Sequence, residues 1–169
     1  METVRRRIVV SETDPLIFSG RLRDELDPWG RATDDQLLTA IGIASAEDVL
    51  DSLPEGLDGH IEERGRSLSG GQRQRMVLAR ALLADAEILV LVDPTSAVDA
   101  HSEARIAQRL HDARRNRTTV VVTASPLVLD RADRVLFLAE GRVVAAGTHR
   151  ELLDTVAAYR DTVTRGEDE

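Results

Sequence analysis

Residues 68–75, Leu-Ser-Gly-Gly-Gln-Arg-Gln-Arg, constrain the fold of this chain more than any other stretch. Ser69 is followed three residues later by Gln72, the spacing of a helix N-terminal capping box, and apolar residues at helical spacing come next. A helix is therefore predicted to begin here. Gly70 and Gly71 would let a phosphate approach the free backbone N–H groups at the positive end of the helix dipole. Ser-Gly-Gly alone also suits an ordinary turn, but the full octapeptide with an apolar strand downstream favours an anion site.

The absence of lysine is a second constraint, since all 22 cationic residues are arginine. A P-loop, G-x-x-x-x-G-K-[S/T], needs a lysine on the nucleotide phosphates, and the pattern does not occur. A net charge of −8 argues against a nucleic-acid surface, and the lack of cysteine excludes disulfides and thiolate metal sites. The four histidines are spread along the chain without metal-ligand spacing, which predicts surface residues.

The order of the patterned segments predicts an α/β fold with a largely parallel sheet. A polar helical stretch follows the first strand, and a hairpin turned at Glu140-Gly141 precedes a final helix that Thr148 caps and that ends near Val163. We expect one partial domain over 1–169, with a helical subdomain at about 18–67 and the signature helix, apolar strand and C-terminal core over 68–169. The predicted strands are 7–10, 87–92, 118–123, 134–139 and 142–146, and the predicted helices lie within 21–67, after 69, over 99–115 and after 148.

Six motifs in a fixed order resemble those of the ATP-binding domain of an ABC transporter of the exporter type. The resemblance covers nearly the whole chain and corresponds to the C-terminal portion of that domain, a P-loop NTPase fold. Glu62 stands where the exporter motif G-E-R-G has its first glycine. The motifs are Asp14 to Gly20 after the Q-loop, Leu53 to Leu57, Glu62 to Gly65, the signature Leu68 to Gln72, the D-loop Ser96 to Asp99, and Ala145 to His149.

The resemblance implies ATP with Mg²⁺ as cofactor, a second ABC ATP-binding domain and a transmembrane domain as partners, and a place at the cytoplasmic face of the cell membrane. Several family residues are replaced in this sequence. Val92 stands where the family has the metal-binding aspartate, so the chain supplies no metal ligand there, and Asp93 stands where the family has the catalytic glutamate. The Q-loop glutamine is absent from 11–13, and Ala124 replaces the switch histidine.

The kept and the replaced motifs differ in which nucleotide they act on in the family. In the family, each nucleotide lies between two domains, with the P-loop, Walker B and switch histidine from one domain and the signature and D-loop from the other. Every replaced element acts on the domain's own nucleotide. The kept residues Ser69, Gly70, Gly71, Gln72 and Asp99 act on the partner's nucleotide. The pattern indicates the degenerate half of a heterodimeric exporter.

Asp93 needs separate weighing because a general base must reach its water at hydrogen-bond distance. Its side chain is one methylene shorter than glutamate, and the preceding Val92 cannot hold Mg²⁺. We therefore expect Asp93 to be impaired as a base and to serve as the polar residue that ends a buried strand. The chain alone is expected to be catalytically inactive. At Gly71, a side chain is expected to stand between the helix-start amides and the partner's phosphate.

Two other interpretations remain open from the sequence. The first is a non-functional truncated remnant, or a mis-started fragment of a full-length transporter, whose sheet would have an uncovered apolar face. The second is a DNA-repair ATPase of the SMC type, which also has an LSGG signature. The absence of coiled-coil heptads and the exporter-like segments near Phe18 and Glu63 argue against the SMC type.

Overall fold

A computed structural model describes residues 7–11, 16–62 and 68–164 and divides the chain into two compact units, Met1–Val122 and Thr123–Glu169. The predicted motif residues 12–15 and 63–65 lie outside the described residues, as does the tail after 164. Residues 12 and 13, where the sequence lacks the Q-loop glutamine, are among them. The α/β class is confirmed by a mixed structure with a parallel sheet. The helical segment predicted at about 18–67 lies within the first unit, and its status as a separate subdomain stays a prediction.

The first unit contains a three-stranded parallel sheet in the order β1–β4–β5. The strands are β1 (Ile8–Ser11), β4 (Ile88–Val92) and β5 (Thr118–Val122), close to the predicted bounds. Leu89 and Leu91 of β4 are fully buried on one face. They belong to a core that also includes Met76 and Ile106 from the long helices α4 (Gly70–Leu83) and α5 (Ala100–Ala113). The opposite face is open to solvent at Val10, Val120 and Val122.

The segment before the signature is less helical than predicted. Its helices are α1 (Leu22–Leu26), α2 (Asp34–Ile43), α3 (Glu47–Asp51) and a 3₁₀ turn (Gly56–Asp58). An unpredicted antiparallel pair, β2 (Gly20–Arg21) with β3 (His60–Ile61), joins its two ends. The capping box of Thr33 and Gln36 at the start of α2 is present as predicted. Leu37, Ile41 and Val49 lie in the same core as Leu89 and Leu91, so the segment packs with α4 and the sheet in one core.

The second unit is a hairpin followed by two short helices. After α6 (Pro126–Leu129), β6 (Val135–Ala139) pairs antiparallel with β7 (Arg142–Gly147), which confirms the predicted hairpin. Glu140 and Gly141 both have positive φ, 48° and 74°, as a type I′ turn requires. The predicted single final helix is wrong: α7 (His149–Thr155) and α8 (Ala157–Thr164) are separated at Val156, whose φ of −122° and ψ of 99° are not helical.

The break at Val156 has a packing reason. Ten residues of straight helix would place His149 and Tyr159 about 15 Å apart along the axis. In the structure the Tyr159 hydroxyl lies 2.6 Å from His149 Nδ1, and the Tyr159 ring meets the edge of Phe137. His149 is buried, which corrects the expectation that all four histidines lie at the surface. Burial also raises the pKa of Tyr159.

Candidate functional site

The N-terminus of α4 is built as the sequence predicts. Ser69 Oγ accepts from the Gln72 backbone N–H at 3.1 Å, and Gln72 Oε1 accepts from the Ser69 N–H at 2.8 Å. This reciprocal pair is a complete capping box. The N–H groups of Gly70 and Gly71 belong to the first turn, where a helix supplies no backbone partner. Among residues 7–11, 16–62 and 68–164, no acceptor binds these two amides or the Ser69 hydroxyl proton, so the helix start presents donors to an outside acceptor.

The Gln72 side chain forms a hydrogen bond with α3. Its Nε2 donates to Asp48 Oδ2 at 3.0 Å, so both ends of the amide are occupied within the chain. Arg75, one turn along α4, forms a bidentate pair with the same carboxylate at 2.6 and 2.9 Å. Burial acts to raise the pKa of Asp48, but hydrogen bonds from Arg75 and Gln72 outweigh it and hold that pKa below its ordinary value. Gln72 thus supports the helix start through both ends of its side-chain amide.

Gly71 faces the loop that follows β4. A Cβ added to Gly71 would lie 2.6 Å from the backbone oxygen of Ala97, whereas one at Gly70 would meet only the Ala97 Cβ, at an ordinary 3.8 Å. A side chain at Gly71 was expected to stand between the helix-start amides and the partner's phosphate, but its Cβ would meet the Ala97 backbone instead. The glycine is needed because the loop backbone occupies the direction of its missing side chain.

Val92 and Asp93 lie where β4 ends. Val92 is half-buried and pairs with Val122 of β5. Asp93 follows in the left-handed region with φ of 43°, and its N–H donates to the Val122 oxygen at 2.9 Å. Aspartate tolerates this conformation better than most residues, and such outliers occur often at functional sites. The structure thus places Asp93 at a sharp turn out of the sheet, directly before the loop that contacts Gly71.

Asp99 ends this loop and begins α5. Its Oδ1 accepts from the Ser102 N–H at 2.9 Å, and this hydrogen bond holds the Asp99 pKa below its ordinary value. Within the loop, Val98 N–H donates to the Thr95 oxygen at 3.0 Å, and the buried Thr95 hydroxyl donates to Glu103 of α5 at 2.5 Å. The loop 93–99 is thus fixed at both ends, by β5 at Asp93 and by α5 at Thr95 and Asp99.

The structure brings most of the predicted site residues into one region of the first unit. The signature residues Ser69 to Gln72 contact the loop 93–99 through Gly71 and Ala97. Ala124 belongs to the second unit and is exposed. Among residues 7–11, 16–62 and 68–164, no group of His, Asp and Glu could hold a metal ion, and no helix is long and apolar enough to cross a membrane.

Sequence reasoning missed two residues of this region, Asp48 and Gln74. Asp48 lies 24 residues before Gln72, and no local pattern connects the two. Gln74 interrupts the apolar side of α4, and it is buried with 7% of its surface exposed. A glutamine at a core position of an otherwise apolar helix face was the available signal, because a buried amide must find hydrogen-bond partners.

The parallel sheet with helices packed on it is the core of a P-loop NTPase. A family model described as ABC transporter matches residues 1–96, more than half of the chain. The ATP-dependent lipid A-core flippase of Alkalilimnicola ehrlichii is 51% identical over 162 residues, which is 94% of this chain and 27% of that protein. The flippase of Shewanella sp. strain MR-4 is 45% identical over 130 residues, 77% of this chain and 22% of that protein.

A solved structure of a bacterial Atm1-family ABC exporter with ATP bound superposes with a TM-score of 0.86 at 27% identity. The match covers 97% of this chain and 29% of the exporter chain. The chain therefore belongs to the ABC transporter family, and it corresponds to part of the ATP-binding domain of an exporter. It spans about a quarter of the length of the curated relatives it matches.

Proposed function

We propose that this chain acts in an ATP-driven exporter by presenting its signature helix and D-loop to an ATP–Mg²⁺ complex held by a partner ATP-binding domain. The supporting observation is the start of α4, where Ser69 is exposed, Gly70 and Gly71 are partly exposed, and their donors have no acceptor within the described part of the chain. The contact of Gly71 with the loop 93–99 joins this surface to Asp99. Gln72 enters the proposal as support for the helix start, because its amide is used within the chain.

The chain's own nucleotide site is proposed to be inactive. Phosphoryl transfer depends on positioned charges that hold the phosphates and the metal. The Val92 side chain offers no oxygen to Mg²⁺, and Ala124 has no imidazole. The partner domain would therefore supply the metal ligand and the catalytic base. A transmembrane domain is the second proposed partner and places the assembly at the cytoplasmic face of the membrane.

A mixed dimer tests this division of roles. In a chimera, this chain replaces the aligned 162-residue segment of the Alkalilimnicola ehrlichii flippase. Two affinity tags separate flippase dimers, mixed dimers and chimera dimers. Mixed dimers should hydrolyse ATP, because the flippase subunit brings an intact catalytic half and the chimera brings the signature. Chimera dimers should be at background, because neither subunit has the metal-binding aspartate. Mixed dimers at background would overturn the proposal.

Two substitutions in the chimera subunit sharpen the test. Ser69→Ala should remove most of the mixed-dimer ATPase, whereas Asp93→Ala should leave it nearly unchanged. Losing the Ser69 cap costs about 1 kcal/mol of stability, so the melting temperature is measured beside turnover. If the loss of activity in Ser69→Ala is explained by a lower melting temperature, Ser69 serves only as a helix cap. A greater loss for Asp93→Ala at equal stability would show that the chain hydrolyses its own nucleotide.

A further inference from the structure

Gln74 connects the signature helix to the loop after β4 through three hydrogen bonds. Its Nε2 donates to the Asp93 backbone oxygen at 2.7 Å and to Ser96 Oγ at 3.0 Å. Its Oε1 accepts from the Ala97 N–H at 2.9 Å. A buried amide without partners is costly, so a glutamine in this core position is stable only while the loop keeps these bonds.

The loop needs these bonds as much as Gln74 does. At Asp93 the backbone turns out of the sheet with positive φ, so the carbonyl of Asp93 and the N–H of Ala97 lose the partners that a continuing strand would offer. Gln74 supplies a donor to the first and an acceptor to the second. The Asp93 oxygen also accepts from Ser96 N–H at 3.3 Å, a longer bond. The Gln74 amide thus supplies the hydrogen bonds that a neighbouring strand would otherwise supply to the loop.

Gly71 and Gln74 face the loop together because residues three apart share a face of a helix. Gly71 lets the Ala97 carbonyl approach, and one turn later Gln74 binds the Ala97 N–H. Ala97 is therefore fixed to α4 at two successive turns, at Gly71 and at Gln74. The loop cannot slide along α4 without a clash at Gly71 or the loss of the bonds at Gln74.

We propose that Gln74 is a positioning residue that sets the placement of the D-loop, and with it Asp99, relative to the amides of Gly70 and Gly71. This inference rests on the proposed function, in which both elements act on one nucleotide of the partner domain. Small errors of placement reduce turnover strongly when catalysis depends on positioning. Gln74 touches neither the nucleotide nor the metal in this role and acts only through the loop.

The mixed dimer of flippase and chimera is the assembly in which to test Gln74→Met, which keeps the length of the side chain and removes its hydrogen bonds. Gln108→Met is the matched control, because the Gln108 amide bonds Asp112 on its own helix at 2.8 Å and no other side chain or backbone group in the described part of the chain. We expect Gln74→Met to lower kcat per assembled dimer about tenfold with KM for ATP nearly unchanged, since the hydrolysed ATP is held by the P-loop and the metal ligand of the flippase subunit. The control should leave both constants unchanged.

The outcomes separate this proposal from the proposed function. If the unsubstituted mixed dimer is inactive, the proposed function fails. If it is active and assembled Gln74→Met dimers keep the original kcat, the positioning role is overturned, including the case in which the variant merely lowers the melting temperature or the yield. If Gln74→Met yields no dimers, the kcat of Gln74→Asn dimers decides whether Gln74 has a positioning role. This variant keeps an amide, but the side chain is one methylene too short to reach the loop. Reduced kcat in its assembled dimers supports the role, and unchanged kcat or no assembly overturns it.

Discussion

At the residue scale, the site depends on what each side chain lacks as much as on what it carries. Gly71 is required because the Ala97 carbonyl occupies the place of a Cβ, and Val92 brings no ligand to a position where the family has a carboxylate. Gln72 and Gln74 are two residues apart on α4 yet serve different partners, Asp48 and the loop 93–99. Gly71, Gln72 and Gln74 of α4 therefore each contact a different group.

The contrast between the two signature glycines gives a direct stability test. Gly71→Ala should lower the free energy of unfolding of the chain by about 1–3 kcal/mol, the usual cost of overpacking. The added Cβ would lie 2.6 Å from the Ala97 oxygen, and backbone cannot rotate away as a side chain does. Gly70→Ala is the matched control and should change stability little, since its Cβ makes ordinary contact. Urea denaturation of both variants measures the difference, and equal stabilities would contradict the close approach.

At the element scale, local patterns identified most of α4, α5, β4, β5 and the β6–β7 hairpin. Capping boxes and turn residues are local, so Ser69 with Gln72 and Glu140 with Gly141 could be placed from the sequence. The β2–β3 pair, the break at Val156 and the Gln74 contacts were missed. Each depends on residues brought together by tertiary packing, such as Tyr159 on His149, and no local pattern encodes them.

The three-stranded sheet leaves one face open, and this predicts self-association of the isolated chain. Val10, Val120 and Val122 are exposed by 57%, 45% and 54% on that face. Contiguous exposed apolar area promotes association, and β1 and β5 are also edge strands. Val10→Thr with Val122→Thr should raise the concentration at which light scattering appears, because threonine keeps the β-branched shape and adds a hydroxyl.

The matched control for this pair lies in the second unit. Val143 and Val144 of β7 are similarly exposed, by 56% and 57%, but lie on a separate two-stranded sheet. Val143→Thr with Val144→Thr should reduce association less than the first pair. An equal reduction by both pairs would show that association follows total exposed valine and not the face of the parallel sheet.

At the scale of the whole molecule, the proposed function makes this chain one half of a shared nucleotide site. The signature amides, the loop 93–99 and Asp99 converge in the first unit, where Gly71 and Gln74 hold α4 and the loop together. In the proposal, the metal-binding aspartate and the switch histidine of the family are replaced at Val92 and Ala124. The order of motifs predicts this division, but the mutual support of signature and loop became visible only in three dimensions.

This division predicts that the isolated chain does not bind ATP with useful affinity. Two amides and one hydroxyl at a helix start attract a phosphate, but electrostatic effects at exposed helix ends are worth only about 0.3–1 kcal/mol. Micromolar binding needs roughly −8 kcal/mol. Calorimetric titration with Mg-ATP should therefore give no saturable heat in the micromolar range.

The double variant Val92→Asp with Ala124→His should behave the same and show no turnover, because the restored groups act on a phosphate that no P-loop holds. Micromolar binding by the unaltered chain, or ATPase above background in the double variant with contaminants excluded, would place a complete nucleotide site on this chain and contradict its role as the signature half.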